Sequence, residues 1–225
     1  GFWAGVYTMY KLPSWLYAFT AQNFADAYVD GYNQKTLAQY LEQLNYMAAN
    51  KTAVQMSYFQ SVLLVDGSRV TQAEFIESAL SIDNNFNVNY LKTEYNTINA
   101  QAGNIANWNE SEKPLMRYVT MNDPNVRHEH AELNGVIKPK DSEFWDTYAP
   151  SNGWNCRCFL RPVDAGAVTP DKDINNDQIN KGVPAEFRYN PAKDPNGFGK
   201  IDNYKKEVTP RQKKPVDNLV NGEAD

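Results

Sequence analysis

The residues best equipped for chemistry in this chain are its two cysteines and two histidines, which lie close together in the sequence. Cys156 and Cys158 flank a single arginine, and His128 and His130 flank a single glutamate. In an extended strand, residues two positions apart point to the same face and lie about 6.6 Å apart. That separation is at the far end of the disulfide range, so we expect two reduced thiols on one face and a reducing compartment.

These side chains match the ligand types of a tetrahedral structural zinc site. The candidate ligands are His130, Cys156 and Cys158, with His128 as a fourth. Their spacing is tighter than that of a common zinc finger. The alternative is that the thiols are small buried apolar groups and that His130 is a hydrogen-bonded core residue. The spacing favours the buried core and leaves zinc as the second interpretation.

A catalytic site would use Cys156 or Cys158 as its nucleophile and His130 as the base. The sequence offers no evident oxyanion hole and no orienting acid for such a pair. We therefore expect this part of the chain to be structural rather than enzymatic.

Turn signals and charged residues surround the cysteines and histidines. Asn134-Gly135 and Asn152-Gly153 each predict a chain reversal. Arg127 lies three positions before His130, so the two share a face on a helical turn. Trp145 and Trp154 are expected in the core rather than on a stacking surface.

Four arginines could form a basic patch for DNA or for an acidic partner, namely Arg117, Arg127, Arg157 and Arg161. Carboxylates are interspersed among them at Asp123, Glu129 and Asp146. This mixture favours salt-bridged scaffolding over a basic patch.

The first hundred residues have helical periodicity. One helix is predicted to open at Pro13-Ser14 and to end near Asp30-Gly31, and a second stripe of apolar positions covers residues 37–47. Residues 53–65 are compatible with helix or, at their end, with strand. A capping box at residues 71–74 starts a further helix, and the longest helix is predicted from Asn89 to Trp108.

Short β-like runs follow at residues 115–121, 136–138 and 159–163. We therefore predict an α+β fold, in which a mainly helical N-terminal region packs on a small antiparallel sheet with structured loops. The predicted division is a helical region at 1–110, a site-bearing module at 111–165 within the same globular unit, and a loop-rich arm at 166–225. The C-terminal part of that arm is expected to be an extended, mobile tail.

Composition and charge narrow the class of protein. The net charge of -5 and the pI of about 5.2 argue against DNA binding by the whole chain. No apolar run is long enough to cross a bilayer, so a membrane partner is not expected. The 14 tyrosines, 10 phenylalanines and 5 tryptophans suit both a firm core and a surface that docks on other proteins.

The order of the site-bearing residues resembles the signature segment of phage Mu F-like minor head (head morphogenesis) proteins. The matching positions run over about 45 residues, and they are Arg117, Asp123, Arg127, His130, Gly135, Trp145, Gly153, Trp154, Cys156, Arg157 and Cys158. His128 occupies a position that is often not histidine in that family, which makes it the weaker ligand candidate.

The resemblance implies a minor capsid or portal-associated protein that acts in head morphogenesis. Its expected partners are portal or capsid proteins and, as a further expectation, packaged DNA. Its expected locations are the virion and, during assembly, the host cytoplasm. The alternative is a metal-dependent or thiol enzyme that acts during infection or injection.

Overall fold

The computed structural model describes residues 8, 10–31 and 36–223. The N-terminal half is helical, as predicted. Its elements are helix α1 (Ser14–Gly31), helix α2 (Leu37–Ser61), the strands β1 (Leu64–Val65) and β2 (Ser68–Arg69), helix α3 (Gln72–Asn84), a π-helical turn (Asn85–Tyr90) and helix α4 (Leu91–Asn109).

The helix boundaries follow local chemistry. Thr71 caps α3 through its hydroxyl, and Glu74 bonds back to the Thr71 backbone, so the predicted capping box is present. The longest helix is α2, with 25 residues, and not α4, with 19. The ambiguous segment at 53–65 divides, because α2 continues to Ser61 and the following residues form a short hairpin.

The predicted α+β fold is confirmed by a three-stranded antiparallel sheet with the order β4-β3-β5. Its strands are β3 (Leu115–Val119), β4 (Ile137–Pro139) and β5 (Phe159–Val163). Two short helices lie between them in sequence, α5 (His128–Ala131) and α6 (Phe144–Tyr148). Alternate residues of β3 are buried, so Met116 and Tyr118 face the core and Arg117 faces solvent.

The C-terminal region is more ordered than the sequence predicts. It contains helices α7 (Asn176–Gly182), α8 (Gly197–Ile201) and α9 (Lys213–Val220). In place of an extended tail, α9 buries Val216 and Leu219 in an apolar cluster with Ala49, Ala53 and Met56 of α2. Gln212 adds a hydrogen bond of 2.9 Å to the carbonyl of Ala53, so packing against α2 orders this segment.

The chain forms two compact units. Unit 1 comprises Gly1–Asp26, Ala38–Tyr95 and Asp202–Asp225, and unit 2 comprises Ala27–Leu37 and Asn96–Ile201. No helix within the described ranges is both long and apolar enough to traverse a bilayer.

Unit 1 contains an ion pair at its core. Lys51 and Glu94 are almost fully buried and bind each other, and the Tyr204 hydroxyl donates to the same carboxylate. Burial lowers the pKa of Lys51, while Glu94 opposes that shift. Each charge of this pair is therefore stabilised in the core only while its partner is present.

Candidate functional site

Three buried side chains from two segments meet in unit 2 and form what we term the thiol–imidazole cluster, consisting of His130, Cys156 and Cys158. His130 Nδ1 lies 3.5 Å from Cys156 Sγ and 3.7 Å from Cys158 Sγ. One donor atom of each residue lies within 4.8 Å of the other two. The cysteines precede β5 rather than lying in it, but they are buried on either side of an exposed arginine, as strand-like alternation predicts.

His128 lies outside this cluster, which corrects the prediction of a fourth ligand. Its side chain is 73% exposed, and its Nδ1 lies 3.8 Å from Glu132 Oε1. Positions two apart on a helical turn point in different directions, so α5 turns His130 inward and His128 toward solvent.

Two arginines fasten the segments that carry the cluster. Arg157 binds Asp123 through two hydrogen bonds of 2.7 Å, which joins the loop after β3 to the cysteine segment. Arg127, directly before α5, donates a hydrogen bond of 2.6 Å to the carbonyl of Trp154. Arg127 and Arg157 therefore have the expected scaffolding role. Arg157 binds a carboxylate, as expected, whereas Arg127 binds a backbone carbonyl.

The pKa values of Asp123 and of the two cysteines are shifted by the groups that surround them. Hydrogen bonds from Arg157 hold the pKa of Asp123 below its usual range. A hydrogen bond between the thiols lowers the pKa of Cys156 well below the thiol range, with His130 adding to the effect, and the same bond together with burial raises the pKa of Cys158.

Tyr118 also belongs to the site, although no role for its side chain was predicted from the sequence. Its fully buried hydroxyl donates to Asn152 Oδ1 over 2.9 Å and lies beside both sulfurs. Burial, reinforced by the two cysteines, raises the pKa of Tyr118 well above its usual value. Its place on the inward face of β3 and its position beside Arg117 in the signature segment were the available signals.

Two asparagines of α4 bind the backbone at the edge of the sheet. They were not predicted from the sequence as part of the site. Asn104 Oδ1 accepts from the Leu160 backbone N–H over 2.7 Å, and Asn104 Nδ2 donates to the carbonyl of Cys158 over 3.3 Å. Asn107 donates to the carbonyl of Leu160 over 2.9 Å. Because these amides satisfy the backbone of an edge strand, they fix the segment that delivers the cysteines. The signal available in the sequence was the number of asparagines in a helical seam.

The remaining predicted positions shape the backbone or the core. Gly135 has a φ of 84°, a left-handed conformation, and its N–H donates to the carbonyl of Tyr118 over 2.8 Å. Trp145 is fully buried and donates to the carbonyl of Pro139. Trp154 is partly buried and packs edge-on against Phe187, while Gly153 lies against Arg127 and His130.

Arg117 and Arg161 form a separate feature, the arginine pair, on the exposed face of the sheet. They are direct partners in the register of β3 and β5, and both are exposed. Neither forms an ion pair within the described part of the chain. Phe159, on the same face of β5, is 37% exposed. The result is a patch of two adjacent positive charges beside an aromatic ring.

A pocket of about 730 Å³ opens next to the thiol–imidazole cluster. Its walls are rich in side-chain amides and also include the two arginines described above. The lining residues include Asn96, Asn99, Asn125, Arg127 and Arg157. Cys156 also contributes to the wall, although only 3% of the residue is exposed. The thiol is therefore near a cavity but largely covered.

Comparison with known proteins places the site within a described family. The family model "Phage Mu protein F like protein" matches residues 21–161, which contain the thiol–imidazole cluster and the arginine pair. A capsid assembly protein F of Escherichia phage Mu is 42% identical over 55 residues, covering 24% of this chain and 12% of the phage protein. The Mu-like prophage FluMu F protein of Haemophilus influenzae is 40% identical over 60 residues, covering 27% of this chain and 14% of the relative.

These alignments span about an eighth of the length of each relative. No solved structure is significantly similar to the chain.

Proposed function

The chain belongs to the Phage Mu protein F-like family, and from that premise we propose that it acts in the assembly of a phage or prophage head as a binding component and not as an enzyme. The observation that carries the proposal is the family match over residues 21–161, since it includes every matching position of the signature segment, from Arg117 to Cys158. The name of the phage Mu relative, which refers to capsid assembly, supports the same role.

The proposed contact surface is the arginine pair. Two exposed like charges directly opposite each other on neighbouring strands destabilise a sheet, so their presence suggests that a partner neutralises them. The adjacent Phe159 adds apolar area, which is typical of the centre of a protein interface. We therefore propose an acidic patch on a portal or capsid protein as the partner.

Packaged DNA is the less favoured partner. A net charge of -5 opposes approach to a polyanion. Two arginines provide a small electrostatic footprint, compared with the broad basic surface of a DNA-binding domain. Binding of nucleic acid instead of protein would be an outcome of the test below.

An enzymatic role has one observation in its favour, which is that Cys156 lines a pocket. A general base, however, requires a third group that orients its ring. His130 Nε2 is buried and has no hydrogen-bond partner among the described residues. We therefore propose that the thiol–imidazole cluster stabilises the fold and performs no turnover.

Virion association tests this proposal. We expect mass spectrometry of gradient-purified particles, from the phage or prophage that encodes the chain, to detect it at a fixed ratio to the portal or capsid protein. In host cytoplasm during assembly, it should be cross-linked to one of those proteins. Particles of normal composition that lack the chain, or cross-links to DNA alone, would contradict the proposed protein-binding role.

A further inference from the structure

We propose that the thiol–imidazole cluster binds one zinc ion through His130 Nδ1 and the sulfurs of Cys156 and Cys158. Zinc bonds of about 2.3 Å to sulfur and about 2.0 Å to nitrogen, at tetrahedral angles, separate a sulfur from a nitrogen by about 3.5 Å. The two nitrogen–sulfur distances in the cluster are 3.5 Å and 3.7 Å. The two nitrogen–sulfur separations are therefore those that a tetrahedral zinc ion requires.

The donors are held in place by contacts outside the cluster. Two hydrogen bonds to Asp123 hold Arg157 on the outer side of the cysteine segment. The cysteines on either side of Arg157 are both buried. Arg127 ties the start of the His130 helix to the turn before the cysteines. Such preorganisation lowers the entropy lost when the ligands close around an ion.

The sulfur and nitrogen donors favour zinc over metals that prefer oxygen ligands. Two thiolates and an imidazole suit zinc and exclude magnesium and calcium, which prefer oxygen ligands. Two thiolates also balance the charge of a divalent ion, as burial of the three residues requires. The metal would orient the His130 ring through Nδ1, and the ring proton would then lie on Nε2, which is buried and has no hydrogen-bond partner among the described residues.

The Tyr118 hydroxyl is a polar neighbour of the proposed zinc ligands. Its hydroxyl lies beside both sulfurs and is anchored by Asn152. We assign it the role of a positioning residue that supports the sulfurs from outside the ligand shell. Replacement of such a partner in other zinc proteins weakens metal binding about 10- to 100-fold.

The zinc proposal is independent of the proposed function. A head-assembly protein without zinc would retain the family match and the arginine pair. Conversely, zinc binding by the isolated chain requires no phage partner. The two proposals can therefore fail separately.

Metal analysis of the purified 225-residue chain provides the first test. After expression in zinc-supplemented medium and dialysis against metal-free buffer, we expect about one zinc per chain, because the three donors form a single ligand set. Anaerobic removal of zinc followed by cobalt addition should produce thiolate-to-cobalt charge-transfer absorption and the visible bands of tetrahedral cobalt. Reduced, folded protein that retains no zinc and gives no charge-transfer band would overturn the proposal.

Matched variants assign the ligands. We expect His130→Gln, Cys156→Ser and Cys158→Ser each to abolish stoichiometric zinc, while His128→Gln, the same change at the exposed histidine, leaves it intact. Tyr118→Phe should keep the tetrahedral cobalt spectrum and weaken zinc binding at least tenfold. Equal losses in His128→Gln and His130→Gln would refute the assignment. If the ligand variants fail to fold, the cobalt spectrum of the wild-type chain still decides the question.

Discussion

Arg157 and Asp123 are joined by two parallel hydrogen bonds of 2.7 Å, although 34 residues separate them in the chain. The pair connects the loop after β3 to the cysteine segment, and it is partly exposed. A two-pronged contact between a guanidinium and a carboxylate fixes geometry as well as charge. This ion pair therefore holds the cysteine segment against the loop after β3.

Replacing Asp123 by Asn should reduce stability in a pH-dependent way. The pKa of Asp123 is depressed in the folded chain, so its stabilising contribution is present above the unfolded pKa of about 4 and is lost as pH falls through the lower, folded value. The stability difference between wild type and Asp123→Asn should be constant between about pH 5 and pH 8 and should shrink below about pH 4. Urea unfolding across this range measures it.

The matched control is Asp146→Asn, which removes a single, exposed contact with Lys193. We expect that substitution to have the smaller effect, because one bond between mobile side chains fixes less geometry. An equal loss in both variants would show that the double hydrogen bond of Arg157 has no special role.

The arginine pair should reveal a conflict between stability and binding. Arg161→Glu places opposite charges at partner positions on β3 and β5, and cross-strand pairs of this kind contribute about 0.2–1 kcal/mol. We expect this variant to unfold at higher denaturant concentration than wild type but to lose binding to the portal or capsid partner. A variant that is stabilised and still binds normally would remove the arginine pair from the proposed interface.

Gly135 should tolerate no side chain without loss of stability. Its φ of 84° is left-handed, and a Cβ there meets no atom within 4 Å, so the effect is purely conformational. Gly135→Ala should destabilise the chain by about 1–2 kcal/mol in denaturant unfolding. Gly153→Ala serves as the comparison, since the nearest atom to its Cβ, on Arg127, would lie at an ordinary 3.4 Å. A larger loss for Gly153→Ala would contradict this account.

The buried pair in unit 1 should be far more sensitive than a surface pair. Glu94→Gln leaves Lys51 buried without a counter-charge, and breaking a buried pair in this way costs about 3–5 kcal/mol. The combined variant Lys51→Met and Glu94→Leu should be less destabilised than Glu94→Gln alone. Asp164→Asn, which breaks the exposed contact with Lys113, should change stability by at most about 1 kcal/mol. Thermal and chemical unfolding of the three variants test this order.

Local signals account for the parts of the fold that the sequence predicts. The ends of α1 and the bounds of β5 follow from residue periodicity and turn formers. The capping box of α3 involves residues only three positions apart. The outward turn of Arg157 between two inward thiols likewise follows from the alternation of an extended chain.

The unpredicted parts depend on contacts between distant residues. Helix α9 has two buried apolar residues in a polar segment, and its order comes from packing against α2. The residue types indicate His130 and Cys156 as candidate ligands of one site, but no spacing rule gives the distance at which they meet across 26 residues. Exposure of His128 follows from the orientation of α5, which tertiary packing sets.

Complementation of a deletion tests the central claim, a role in head assembly, most directly. In the phage or prophage that encodes the chain, deletion should sharply reduce DNA-filled heads counted by electron microscopy. The wild-type chain supplied in trans should restore them, and Arg161→Glu should not, despite stable folding. Normal numbers of filled heads in the deletion strain would contradict the account.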